Sequence, residues 1–241
     1  MTEQTLGVIL ARAGSKGLAN KNALPIAGKP MLAWTIEHAL ASERIDRVLV
    51  TTDGRELAEI ARRYDVEVIE RPEELANDTA TIDSAARHAV SQVIDMHQSL
   101  CLLYGNVPVR PKDLSDRAIR TLIETGADSV QSVCPVGKHH PYWMKTVDAE
   151  TGELGMYTDN AVYRRQDLPP VYMLDGGVIA VRRSSLFTVV EGQPHAFLGK
   201  DRHAVTTSPG EVIDVDCETD FQVAEAVLKD REEKRRVRAV G

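Results

Sequence analysis

Short apolar runs alternate with amphipathic stretches along this chain. LGVILA (6–11), RVLVTT (47–52) and SLCLLYG (99–105) are nearly continuous apolar runs closed by turn residues, the pattern of strands buried on both faces. MLAWTIEHAL (31–40) has helical spacing, with Pro30 placed to open its first turn. GRELAEIARRYD (54–65) puts Leu57, Ile60, Ala61 and Tyr64 on one helical face. VEVIE (66–70) reads as a short strand and TIDSAARHAVSQVIDMH (81–97) as the next helix. LSDRAIRTLIETG (114–126) is a helix capped by Gly126, and ADSVQSVCPV (127–136) a further strand. Strand and helix alternate with short connections. This predicts an α/β fold, Rossmann-like, with a mostly parallel sheet and helices on both faces.

The rhythm breaks near residue 137. Residues 138–175 are rich in Pro, Tyr, Gly and charge and have no long helical period. They read as an inserted, β-rich arm on a single domain spanning 1–241. DGGVIAVRR (175–183) then reads as a strand, VIDVDC (212–217) as a short acidic strand end, and TDFQVAEAVLKDREEKRRV (219–237) as a closing helix. The basic KRRVR (234–238) suits a solvated helix end that complements the helix dipole.

Composition narrows the classes. The 241 residues are 43% hydrophobic and 27% charged, enough for a full core without staples. A net charge of −7 argues against nucleic-acid binding. No apolar run is long enough to span a bilayer, and MTEQTLGVIL has neither the basic flank nor the apolar length of a signal peptide. Cys101, Cys134 and Cys217 are odd in number and far apart, as reduced thiols are. The expectation is a cytoplasmic protein with small-molecule partners.

Against this acidic background, LARAGSKGLANKN (10–22) carries Arg12, Lys16 and Lys21, two glycines and no acid. A loop leaving a parallel strand lies at the carboxyl edge of the sheet, where such folds bind ligands. Gly14 and Gly17 let backbone N–H groups turn inward as an anion nest, and three cations beside a nest suit a triphosphate. The loop matches neither the G-x-x-x-x-G-K-[ST] phosphate motif nor the G-x-G-x-x-G dinucleotide fingerprint. By composition alone, a solvated surface loop explains the charge as well. The second clue is Asp214 and Asp216. Two residues apart on a strand, their carboxylates point the same way and invite a shared cation. Mg²⁺ commonly takes one or two carboxylates plus phosphate oxygens. A triphosphate nest and an aspartate pair together imply nucleotidyl transfer.

ARAGSKGLANKN followed by PIAGKPMLAWTIEHAL closely resembles the opening of the acylneuraminate (CMP-sialic acid) cytidylyltransferases, whose signature is roughly A-R-x-x-S-K-G-x-x-x-K-N. The D-G turn at 53–54, RPEELANDTA (71–80) and VIDVDCETDF (212–221) match further blocks of that family. The resemblance implies a nucleotidyltransferase fold with a dimerisation arm, and hence a homodimer. It implies a reaction of CTP with a nonulosonic acid, giving a CMP-sugar and pyrophosphate with Mg²⁺. By that resemblance Arg12, Lys16 and Asp214 carry the chemistry. Ala11, Arg12, Gly14, Ser15, Lys16, Lys21, Asn22, Arg71, Asp78, Thr79 and Ala80 hold the nucleotide. Asp214 and Asp216 bind the metal. On the acceptor side fall Tyr104, Asn106, Arg110, Lys145, Arg165, Met173 and Asp175.

That acceptor side departs from the family. Where the family has Q-P-T-S-P-L-R this chain has YGNVPVR (104–110), with Tyr104 at the glutamine position. Where it has R-P-N-G-x-I-Y, this chain places Met173 and Asp175 at the arginine and asparagine positions. Exchanging a cation and an amide in an acid-binding pocket is not conservative. A CTP-dependent enzyme with another acceptor, such as a phosphonate, therefore stays open. So does a non-catalytic nucleotide-binding relative. Use of a sugar 1-phosphate is disfavoured, because the loop is not of the G-x-G-T-R type.

Overall fold

The computed structural model describes residues 3–14, 17–77, 79–94 and 97–240, with side chains to Val237. The strands are β1 (Thr5–Leu10), β2 (Pro25–Ile26), β3 (Lys29–Pro30), β4 (Arg47–Thr52), β5 (Glu67–Glu70), β6 (Ser99–Tyr104), β7 (Ser129–Pro135), β8 (Lys145–Val147), β9 (Leu154–Met156), β10 (Tyr172–Arg182) and β11 (Arg202–Thr206). The helices are α1 (Met31–Leu40), α2 (Arg55–Arg62), α3 (Ile82–Ser91), α4 (Leu114–Thr125), α5 (Arg183–Leu186) and α6 (Glu218–Val240). Seven strands form one sheet in the order β11-β7-β10-β6-β1-β4-β5. Only β10 runs against its neighbours, so the sheet is mostly parallel, as the alternating pattern predicts.

The period of two along each strand divides the core into layers. Leu6, Val8 and Leu10 of β1, with Leu100 and Leu102 of β6, face α3 through Ala85, Ala86, Ala89 and Val90. Ile9, Val50, Cys101 and Leu103 face the other way, onto α1, α2 and α4. Gly126 caps α4 in the left-handed region at φ 72, as its position in the sequence suggests. A third cluster joins Ala224 and Leu228 of α6 to Ile26, Val109 and Val215. The closing helix therefore buttresses the acidic segment.

Three expectations need correction, and one strand was not foreseen. The helix from residue 81 ends at Ser91, not His97, because Val93 returns to the core. Residues 212–217 form no strand. Their ladder pairing among the described residues is a single bridge, Ile213 to Val109; the segment is otherwise held by hydrogen bonds to Asn106 and Lys21. The arm ends at Val171, since Tyr172–Leu174 already pair with β7. The arm is a β8–β9 hairpin with short 3-10 turns. Finally, β11 had no sequence signal, because Arg202 and His203 give an edge strand no apolar run.

Candidate functional site

Strand ends place the polar groups. At the carboxyl ends of β1, β4 and β6 lies a cavity of about 280 Å³. Its lining includes Arg12, Lys21, Asn22, Arg71, Ala80, Tyr104 and Asn106. Seven residues expected from the sequence thus meet at one place, although they lie up to 94 positions apart in the chain. A wider cleft between the starts of β4 and β5 is at the opposite edge and gathers none of them.

The first loop is fixed from several sides. Ala11 is buried in the core and its N–H donates to Thr51 O. Ala13 N–H donates to Asp53 Oδ1 at 2.8 Å, so the Asp53–Gly54 turn clamps the loop. Asn22 Nδ2 donates to Arg12 O at 2.9 Å, while its Oδ1 is buried with no partner. Asn22 itself is among the residues that line the cavity. Gly14 has open space around it, as a backbone nest requires. Ser15, Lys16 and Asp78 lie outside the described residues.

Arg71 is held by its Nη2 donating to Thr51 O at 2.9 Å. Burial pulls its guanidinium down, with Asp53 opposing and Arg12 adding to the shift. The Asn77 side chain caps Thr79 and Ala80. Asn77 Oδ1 accepts from Thr79 N, Thr79 Oγ1 and Ala80 N at 2.9, 2.7 and 2.9 Å. Thr79 thus shapes the wall without lining it. Asn77, Asp53, Leu75 and Thr81 belong to the site and were not singled out from sequence. The N-D-T run was the available signal for the turn.

The aspartates meet at Asn106. Its Nδ2 donates to Asp214 Oδ1 at 2.5 Å and lies 3.5 Å from Asp216 Oδ1, so the carboxylates converge without a strand. Lys21 Nζ bonds Asp216 Oδ1 at 2.6 Å and Val215 O at 3.1 Å, tying the first loop to the acidic segment. Asp220 Oδ2 accepts from Asp216 N and Cys217 N and fixes the entry to α6. Burial, with Asp216 adding, lifts the Asp214 carboxyl to about 6 despite Lys21 and Arg110. Two converging hard oxygen donors, only partly offset by Lys21 and Arg110, fit a divalent cation such as Mg²⁺. Among the described residues no group of three or more such ligands gathers, so an ion here would complete its shell from outside the protein. Burial, then Asp214, pushes the Tyr104 phenol up to about 12, leaving a neutral donor on the cavity wall.

Five acceptor-side candidates do not reach this cavity. Arg110 is buried and its donors are occupied by Tyr104 O, Val107 O, Thr35 Oγ1 and Gly177 O. Asp175 is bonded to Ser132 Oγ at 2.5 Å, Thr207 Oγ1 at 2.6 Å and Gly177 N at 2.9 Å, which holds the β10 bulge. Met173 sits half-exposed opposite Cys134. Lys145 lines a separate arm cavity of about 470 Å³, and Arg165 is exposed on a turn.

A family model described as cytidylyltransferase matches residues 6–188. The chain belongs to the cytidylyltransferase family. This cytidylyltransferase-family chain is 31% identical over 216 residues to the N-acylneuraminate cytidylyltransferase of Streptococcus agalactiae serotype V, covering 89% of this chain and 51% of that protein. It is 29% identical over 235 residues to the CMP-N,N'-diacetyllegionaminic acid synthase of Legionella pneumophila, covering 93% and 96%. The chain thus spans about half the length of the streptococcal relative and nearly all of the Legionella one. CMP:2-keto-3-deoxy-manno-octonic acid synthetase complexed with CTP shares the fold, with a TM-score of 0.72 at 17% identity over 95% of this chain and 99% of that one.

Proposed function

We propose that this chain transfers the cytidylyl group of CTP to the hydroxyl of a nonulosonic, 2-keto sugar acid, releasing pyrophosphate and a CMP-sugar. The observation that carries this is the cavity itself: Arg12, Lys21, Asn22 and Arg71 converge beside an aspartate pair at the carboxyl sheet edge. The relatives' names support the nucleotide and the acid class.

In the reaction the acceptor oxygen bonds the α-phosphorus, and the bond to the bridging oxygen breaks with its electrons leaving on pyrophosphate. Such transfers need positioning and charge neutralisation more than covalent help. Arg12 and Lys21 stand where the phosphates would lie, with Lys16 completing the cluster by resemblance. Asn22, Arg71 and Ala80 form the nucleoside side. Asp214 and Asp216 would hold Mg²⁺, oriented by Asn106 and Lys21. When bound, that ion supplies charge neutralisation at the α-phosphate and a lowered pKa for the attacking hydroxyl. The Tyr104 phenol and Asn106 amide face the acceptor side.

The arm supports a homodimer. Nine large apolar side chains between Met144 and Leu174 are exposed in the single chain, more than a soluble surface leaves bare in one region. In a dimer, Lys145 and Arg165 would reach the partner's acceptor side. The unpaired cysteines, and the absence among the described residues of any helix long and apolar enough to cross a membrane, support a cytoplasmic enzyme.

The test is pyrophosphate release from CTP, UTP and ATP with Mg²⁺ across a panel of 2-keto sugar acids and phosphonates. CTP-selective release with a nine-carbon acid is expected. Release only with a phosphonate would favour the second reading, for which the Tyr104 ring on the cavity wall speaks. CTP binding without release from any acceptor would sink both.

A further inference from the structure

Arg110 is off the cavity wall, yet the walls converge on it. Its Nε donates to Gly177 O at 2.7 Å, Nη1 to Thr35 Oγ1 at 2.9 Å and to Val107 O, and Nη2 to Tyr104 O at 2.9 Å. The Thr35 hydroxyl lies 3.2 Å from both Tyr104 O and Val107 O, so it braces the same turn from α1. The residue is only 5% exposed; its direct hydrogen bonds go to carbonyls and the Thr35 hydroxyl, while Asp214 and Asp175 favour its charge without bonding it. Its neighbour His38, bonded to Ser115 Oγ at 2.8 Å, is kept neutral by burial and adds no charge. Burying a guanidinium without a direct acid partner is unfavourable, and an apolar side chain would fill the space at lower cost. Packing alone therefore does not account for an arginine here.

What the guanidinium joins does account for it. Tyr104 and Val107 bracket the turn that carries Asn106, and Asn106 donates to Asp214 Oδ1. Gly177 follows Gly176, where an added Cβ would lie 3.1 Å from Asp214 Oδ2, so that backbone packs against the same carboxylate. The tip of β6 and the bulge of β10 thus approach Asp214 from two sides, and one planar fork fixes both. We propose that Arg110 is the positioning residue of the acceptor side: it locks the 104–107 turn and, through Asn106, the Asp214 carboxylate, without touching either substrate. The nucleotide wall has anchors of its own, Arg71 on Thr51 and Asn22 on Arg12 O. This inference rests on the nucleotidyl-transfer reading above. A lysine offers a point charge and cannot span carbonyls on two elements.

The test uses the full chain with Arg110→Lys and Thr35→Val, the second keeping the guanidinium and the packing volume. Arg110→Lys is expected to lower kcat about 100-fold, the scale of a misplaced reacting group. Thr35→Val is expected to lower it about tenfold for the same reason. CTP affinity by calorimetry should stay within about threefold, which separates lost positioning from lost ground-state binding. Wild-type kcat and acceptor KM in either folded variant would overturn the proposal, as would a loss of CTP affinity that matches the loss of kcat. If Arg110→Lys does not fold, Thr35→Val alone decides. If the wild-type protein releases no pyrophosphate from any acceptor, the reaction reading fails separately. Hydrogen exchange then judges Arg110: amides of 105–107 and 109 should exchange faster in both variants while those of 6–12 stay protected, and unchanged exchange at 105–107 and 109 would refute it.

Discussion

Asp214 is a carboxylate that the fold holds in an unfavourable setting. Its carboxyl is raised to about 6 from an ordinary 3.8, first by burial and then by Asp216. An acid whose pKa is raised by folding ionises later in the folded chain than in the unfolded one. It therefore removes stability as pH climbs from about 4 to about 6, and the loss is complete above that. Asp214→Asn keeps the acceptor oxygen for Asn106 and drops the charge. In divalent-free buffer it should melt higher than wild type at pH 7.5, by up to about 3 kcal/mol, and the two should converge below pH ~4. Identical melting curves at both pH values would contradict this electrostatic account. Asp214→Ala should keep the fold and lose turnover by about 100-fold or more. At this scale the sequence showed which residue types matter but not where each side chain goes. Arg110 and Asp175 matched family positions for the acceptor, yet both are internal braces. A motif records the residue type a position needs and says nothing of the direction its side chain takes.

At the scale of elements, the first loop and the acidic segment act as one unit. Lys21 ties them, and Gly17 packs so close to residue 216 that an added Cβ would sit 2.3 Å from Asp216 O. Gly17→Ala must push the two apart, because the obstacle is backbone. The expected result is a KM for CTP raised about tenfold with a stability loss of about 1–3 kcal/mol, measured by varying CTP and by thermal melting. An unchanged KM would mean that the loop's place against the acidic segment does not matter to the nucleotide. Most elements were legible here, because buried strands and amphipathic helices write their burial into hydrophobic period. The exceptions share one cause, which is that pairing partners are not encoded locally. VIDVDC has the alternation of a strand but finds only one bridge, while RHAVT lacks it and still pairs with β7 at the sheet edge.

For the whole molecule, the sheet buries its apolar faces within one chain, whereas the arm leaves large apolar side chains exposed. Leu154, Val147, Tyr163 and Leu174 are all more than half exposed around the β8–β9 hairpin and its root. Sedimentation equilibrium should find wild type as a dimer. Leu154→Glu combined with Leu174→Glu should give a monomer whose far-ultraviolet spectrum is unchanged. A monomeric wild type would remove the dimer and leave Lys145 and Arg165 without a route to any acceptor. That Arg12, Lys21, Asn22, Arg71 and Ala80 share one cavity was readable because they sit in contiguous motifs at strand ends. Where Lys145 and Arg165 lie was not, because it depends on how the arm folds.

The central claim is that an acceptor oxygen displaces pyrophosphate from the α-phosphorus of CTP at the Asp214–Asp216 pair. It is tested most directly by ³¹P NMR of a reaction of CTP, Mg²⁺ and a 2-keto sugar acid carrying ¹⁸O in its anomeric hydroxyl. The account predicts pyrophosphate together with a CMP diester whose phosphorus signal shows the ¹⁸O isotope shift, both absent with Asp214→Ala. A diester without the shift, free CMP as the only nucleotide product, or equal turnover by Asp214→Ala would contradict it.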